Sequence, residues 1–236
     1  MSLSWPDCLN VRDLGGLPTA DGGRIAARAL IRSDNLTRLT PAGVEAVRAA
    51  RLGRIVDVRT DWECEHYPTP FAGDPLHCNR PLHRHDDPYD PALSLEQTYI
   101  AGLELRPEMY AAAIEAIASA PAGAVLVHCH MGKDRTGMII ALALGLAGVT
   151  ADVIAADYAA VSDRLLAHFD ELLAAVPDPT QRTQLAEEFS SRAETMITVL
   201  DHLEQTYGGV EAYLRHAGLG DDSLGRLRAR LVGATA

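Results

Sequence analysis

A chain of 236 residues with 47% hydrophobic content is long enough to bury a substantial core and too apolar to be disordered. Its formal net charge of −11 leaves no broad basic surface, which excludes a nucleic-acid binder. The longest apolar stretch, 137–149, is shorter than the roughly 18–20 residues a membrane span needs, so no stable membrane insertion is expected.

Residues 7–33 read as turns and short strands, with LGG at 14–16, DGG at 21–23 and an extended apolar run at 29–32. Thr40 followed by Pro41 reads as a helix cap with proline at the first helical position, and that helix should end near Leu52. A short buried strand is predicted at 54–58, then a long Pro-, His- and Asp-rich loop over 60–92. Helices are predicted at about 94–104 and 107–119, and a second buried strand at 124–127. The remainder reads as helical, with breaks at 148–150, 177–179, 208–209 and 218–222. Strands early and helices late predict an α/β fold with a small central sheet flanked by helices. No linker composition divides the chain, so one domain over 1–236 is expected.

Four cysteines occur, Cys8, Cys64, Cys78 and Cys129, with no C-x-x-C pair and no zinc spacing. No metal and no cofactor is expected. MSLSWPDCLN lacks a basic segment followed by an apolar one, so a cytoplasmic location is expected.

The chemistry concentrates in HCHMGKDRTG, residues 128–137, between the second predicted strand and an apolar helix. Five residues separate Cys129 from Arg135. Cysteine is a nucleophile as its thiolate. A loop running into a helix start turns backbone N–H groups inward and adds the positive end of the helix dipole, which favours a thiolate and cradles a phosphoryl group. Arginine grips two phosphate oxygens with its planar fork, as lysine cannot. These residues predict a phosphatase acting on phosphomonoesters through a phosphocysteine, with a non-catalytic phosphate-binding module as the alternative that the presence of both Cys129 and Arg135 opposes. Cys129 and Arg135 are the catalytic candidates. His130, Met131, Gly132, Lys133, Asp134, Arg135 and Thr136 are the phosphate-binding ones. Lys133 is the chain's one lysine. It is a candidate for extra anionic groups, as is His130; the alternative for both is a solvated rim. His128 either supports the thiolate or is a satisfied core histidine.

In these residues the sequence resembles the atypical bacterial tyrosine phosphatases of the mycobacterial secreted type, whose signature reads H-C-x-x-G-K-D-R-T-G. The family's N-x-R-D-x-G-G appears at Asn10–Gly16, its D-x-R-[ST] at Asp57–Thr60 with Glu63 nearby, and its later part in Asp157-Tyr158 and Tyr207-Gly208-Gly209. The resemblance implies a tyrosine-phosphatase-like fold with a largely parallel sheet. It implies phosphorylated protein substrates, extending to phosphoserine, phosphothreonine and phosphoinositides, with phosphate held in the site. It adds Asp134 to the catalytic candidates as a general acid, with Asp57 as the rival donor and a helix-start aspartate that orients Arg135 or complements the dipole as the alternative for Asp134. It also implies a helical lid over about 162–192, for which the apolar spacing of Leu165, Leu166, Phe169, Leu172 and Leu173 allows an ordinary core-packed helix as the alternative. Arg12, Asp13 and Arg59 are expected to brace turns. Arg32 and Arg38 are expected on the surface, and Cys8, Cys64 and Cys78 in ordinary packing.

Overall fold

The computed structural model describes residues 3–88 and 90–232. Among these the chain runs β1 (Arg12–Asp13), β2 (Leu30–Ser33), α1 (Pro41–Ala49), β3 (Leu52–Asp57), α2 (Asp61–His66), β4 (His77–Asn79), α3 (Leu95–Leu105), α4 (Pro107–Ala118), β5 (Ala124–His128), α5 (Asp134–Leu146), α6 (Ala151–Ala174), α7 (Pro179–Phe189), α8 (Ala193–Tyr207), α9 (Val210–His216) and α10 (Asp221–Val232). The strands lie in the order β1-β2-β5-β3-β4. Among the described strands, only β1 is antiparallel to its neighbour. The fold is the expected α/β one, a mixed sheet flanked by helices.

Strand alternation divides the core. Leu30, Val56, Val125 and Val127 face one side of the sheet, where Leu103, Ile114, Ile139, Leu203 and Leu227 pack against them. Ile31, Ile55, Ala124 and Leu126 face the other, closed by Val47 of α1 with Trp5 and Phe71. Side chains two apart share a face, so a strand buried on both faces reads as an unbroken apolar run. Each fully buried Leu, Ile or Val contributes about 1.5–3 kcal/mol. Helix α5 is buried almost all round, which explains its apolar sequence.

The region 60–92 departs from the predicted loop by containing α2 and β4. Helix α2 (DWECEH) has no apolar periodicity and is held by a capping box, in which Thr60 accepts from the Glu63 amide and Glu63 accepts from the Thr60 amide. Strand β4 (HCN) lacks the usual strand formers and exists by pairing with β3. Neither leaves a periodic trace in the sequence. Helix α1 ends at Ala49 and β3 starts at Leu52, both earlier than predicted.

Candidate active site

Strand β5 lies between β2 and β3, so its C-terminal end opens in the middle of the sheet, where ligands of α/β folds bind. Residues 129–133 join it to α5.

The carbonyls of this loop are tied outward, one after another. Asn35 donates its amide and its Nδ2 to the His130 carbonyl, each at 2.9 Å. Asn10 Nδ2 donates to the Met131 and Gly132 carbonyls at 3.2 and 3.1 Å. Arg32 donates to Gly132 O at 2.6 Å and to Lys133 O at 3.4 Å. In a trans peptide plane the N–H points opposite the C=O. Tying the carbonyls to the framework therefore turns the amides toward the other side of the loop, which makes it a cradle for an anion. Behind it, Arg12 donates to Asn10 Oδ1 at 2.6 Å and to Asp157 at 2.8 Å, while Arg32 reaches the second oxygen of Asp157 at 2.6 Å. Burial would raise the Asp157 pKa, but Arg32 and then Arg12 outweigh it and hold the carboxylate ionised. Arg32 is 0% exposed, so the expectation of a surface residue is wrong: β2 buries it behind the loop. Arg12 braces the site as expected. The role of Asn35 was not read from the sequence, although a polar Ser-Asp-Asn run directly after an apolar strand was the available signal.

Gly132 has φ +66°, and a Cβ there would lie 2.2 Å from the Ser33 carbonyl oxygen. Only glycine fits both the left-handed backbone and the approach to β2. A Cβ on Gly137 would meet the Tyr158 ring at 2.9 Å.

Cys129 is buried at the strand end, on the face opposite His128. Arg135 is clamped by Glu63, with Nη1 to Oε2 at 2.5 Å and Nη2 to Oε1 at 2.9 Å. Burial opposes its charge, but Glu63, then Cys129, then Asp134 outweigh burial and push its pKa above an ordinary arginine. Glu63, the acid near D-x-R-[ST], thereby joins Arg135 across 72 residues of sequence. Thr136 is fully buried, and its hydroxyl has no protein partner among the described residues.

Asp134 is partly exposed, and its Oδ1 accepts from Tyr99 and forms an ion pair with Lys133 at 3.0 Å. Tyr99 in turn pairs with Tyr158 at 2.8 Å. Lys133 is not a solvated rim residue: it is 3% exposed and also donates to the Glu188 carbonyl at 2.5 Å. His130 is exposed at the rim.

Asp57 sits elsewhere. It is fully buried, with Arg59 donating to both oxygens at 2.9 and 2.6 Å and His77 approaching at 3.2 Å. Burial would raise its pKa, yet His128, His77 and Arg59 hold it far below the usual carboxylate range. The register pairs Asp57 with His128 on one face of the sheet, away from Cys129. His128 is wholly buried, its Nδ1 3.2 Å from the Cys129 carbonyl and its Nε2 3.6 Å from Asp57. Asp57, His77 and His128 cluster within 4.8 Å, a grouping the linear spacing did not show. Arg59 already lies on that carboxylate, so a divalent cation would compete with a guanidinium.

The distal half of α6 and helix α7 lie against the loop. Val161, Leu165 and Phe169 form a small cluster apart from the main cores, joined by Met131 and Phe189. Phe169 and Phe189 stack at 4.6 Å, and Ser191 donates its amide to Ser162 at 2.8 Å. Beside Arg135 and Asp134 opens a cavity of about 580 Å³, walled by Trp62, Leu82, Tyr99, Leu105 and Met138 among others. A larger one of about 850 Å³, near Gly145–Val149 and α8–α10, contains none of the loop residues.

A model of the tyrosine phosphatase family matches residues 3–233. The chain is 35% identical to the triple specificity protein phosphatase PtpB of Mycobacterium tuberculosis over 46% of this chain and 44% of that protein. It is 30% identical to a tyrosine-protein phosphatase of Nostoc commune, covering 91% of this chain and 78% of the relative. A putative tyrosine-protein phosphatase of Cupriavidus necator is also 30% identical, over 91% and 83%. A match across nearly the whole chain, with cysteine and arginine meeting at one loop, makes this protein a member of the tyrosine phosphatase family and a cysteine-dependent phosphatase.

Proposed function

We propose that this chain hydrolyses phosphotyrosine, and secondarily phosphoserine and phosphothreonine, through a phosphocysteine on Cys129. The carrying observation is the loop whose carbonyls are bound from behind while Arg135 is held at its rim by Glu63. The phosphoryl oxygens lie in the cradle and against the Arg135 fork. The Cys129 thiolate attacks phosphorus, forming the S–P bond as the ester P–O bond breaks. Asp134 gives the departing oxygen its proton. It then takes a proton from the water that attacks phosphorus, and the thiolate leaves with phosphate released. Asp57 is a poor donor because burial in an ion pair with Arg59 keeps it deprotonated and off the Cys129 face.

The apolar, aromatic walls of the cavity beside Arg135 and Asp134 suit an aryl group. A phosphoinositide reading relies on Lys133 for further phosphates, and its amine is occupied by Glu188 and Asp134. The α6–α7 segment acts as a lid, since it rests on the loop through Met131 and Lys133 with a small apolar cluster of its own. The described cysteines are free, which suits a reducing, cytoplasmic setting. No described helix is long and apolar enough to cross a membrane.

Rapid acid quench with labelled phosphotyrosine peptide tests the covalent step, with label expected on the Cys129 peptide. Cys129→Ser should bind phosphate and not turn over. Turnover by that variant at the wild-type rate sinks the mechanism, and a panel of phosphotyrosine, phosphoserine and phosphoinositide ranks the substrates.

A further inference from the structure

Oδ1 of Asp134 accepts from the Tyr99 hydroxyl and lies 3.0 Å from the Lys133 ammonium in an ion pair, while among the described residues nothing donates to Oδ2. Tyr99 has a single hydroxyl proton and directs it at the carboxylate, so in the 2.8 Å pair with Tyr158 it must be the acceptor. The result is a chain running Tyr158 to Tyr99 to Asp134. Both rings are packed in place, Tyr99 at 6% exposure and Tyr158 at 1%, crossing edge to face at 6.4 Å. Tyr158 also lies against Gly137, in the first turn of the helix that Asp134 opens.

We propose that Tyr99 is a positioning residue for proton delivery: with Lys133 it fixes Oδ1 of Asp134 and reserves Oδ2 as the oxygen that carries the proton to the leaving group. The proposal rests on Asp134 being the acid. The Oδ2–H bond breaks as the proton moves to the ester oxygen, whose bond to phosphorus is breaking. The carboxylate left behind is held at Oδ1 until it takes a proton from the attacking water.

The charged and titratable groups around this chain are Tyr99 and Glu96 from α3, Tyr158 from α6, Lys133 from the loop, Arg135 from α5 and Arg32 from β2. Burial, then the charge of Asp134, pushes the Tyr99 pKa well above an ordinary tyrosine, so the phenol stays a donor throughout the working range. Removing the phenol leaves Oδ1 without its hydroxyl partner and loosens the acid.

The test compares Tyr99→Phe, Asp134→Asn and the double variant on an activated aryl phosphate and an alkyl phosphate, with kcat and KM measured separately. Tyr99→Phe should lose about tenfold in kcat on the alkyl ester and under about twofold on the aryl ester, a portion of the roughly 10²–10⁴ a general acid supplies. Adding it to Asp134→Asn should cost nothing further, because the two act through one group. Equal slowing of both esters, or additivity with Asp134→Asn, overturns the proposal while leaving the acid in place. Loss of leaving-group dependence in Asp134→Asn itself overturns the acid assignment, and this proposal with it. Should Tyr99→Phe fold poorly, Tyr158→Phe serves, with a smaller effect of the same pattern; no effect on the alkyl ester overturns the proposal.

Discussion

Glu63 binds both terminal nitrogens of Arg135, at 2.5 and 2.9 Å, with the same carboxylate that closes the capping box of α2. The helix cap and the Arg135 ion pair are therefore one unit. Burial would raise the Glu63 pKa, but Arg135 outweighs it and brings it down to about 2, so the pair stays charged at any working pH. Glu63→Gln keeps the capping box, which accepts Glu or Gln. Stability should hold within about 1 kcal/mol. The guanidinium fork should lose its alignment, lowering kcat/KM on phosphotyrosine by about tenfold or more, or at least about 1.4 kcal/mol. Unchanged kcat/KM would show that the pair does not orient Arg135.

Gly132→Ala should disable the loop. A Cβ placed 2.2 Å from a backbone oxygen, at φ +66°, cannot be absorbed by a side-chain rotation. The loop must shift, at a cost of about 2 kcal/mol or more. Thermal unfolding should fall accordingly and phosphate affinity should drop sharply. A variant with wild-type melting and wild-type phosphate binding would contradict the geometry.

Asp157→Asn should unfold the support behind the cradle. The carboxylate neutralises Arg12 and Arg32, both buried. Removing one partner of a buried ionic cluster costs roughly 3–5 kcal/mol because a charge remains uncompensated. Urea denaturation measures the loss. Adding Arg32→Met should recover part of it, by removing a charge that Asp157 no longer balances. A double variant less stable than Asp157→Asn would refute that account.

Acid should weaken the fold through His128. Burial, only partly opposed by Asp57, lowers its pKa below the ordinary 6.5. The unfolded chain then binds the proton more readily than the folded one. Stability from the neutral ring is complete above the unfolded pKa and declines as pH falls below about 6.5. His83 and His130 shift in the same direction and add to the slope. Urea midpoints from about pH 8 to pH 4 should fall less steeply in His128→Gln than in the wild type. Equal slopes would mean that His128 does not titrate with unfolding.

Peroxide should inactivate the enzyme reversibly at Cys129, with phosphate protecting it. Cys64 is pushed up to about 12 by burial and by Asp57, and Cys8 is pushed above the thiol range by burial and by Asp34, to which its thiol donates at 3.1 Å. Both therefore stay protonated and slow to react. Peptide mapping showing oxidation of Cys8 and Cys64 at the Cys129 rate would contradict this.

The sequence alone determined that Cys129 and Arg135 would meet at the start of a helix after a buried strand. Their spacing is local, and the chemistry of strand, loop and helix dipole operates within ten residues. The same locality made the two-sided strands and most helix ends legible, through apolar runs, caps and glycine breaks. Tertiary structure decided everything that acts across the chain. Arg32 reads as a surface residue until β2 is set beside β5, where its guanidinium finds Asp157 and the Gly132 carbonyl. Lys133 reads either as a ligand for extra anionic groups or as a solvated rim residue until α7 arrives with the Glu188 carbonyl. Asp57 and Asp134 are both acids near the Cys129 loop, and only folding separates them, burying one against Arg59 and leaving the other partly open beside Tyr99. A residue's type specifies which bonds it can form. Burial and the partners delivered by distant segments select the bonds it does form, and those contacts have no period or spacing for a linear reading to detect.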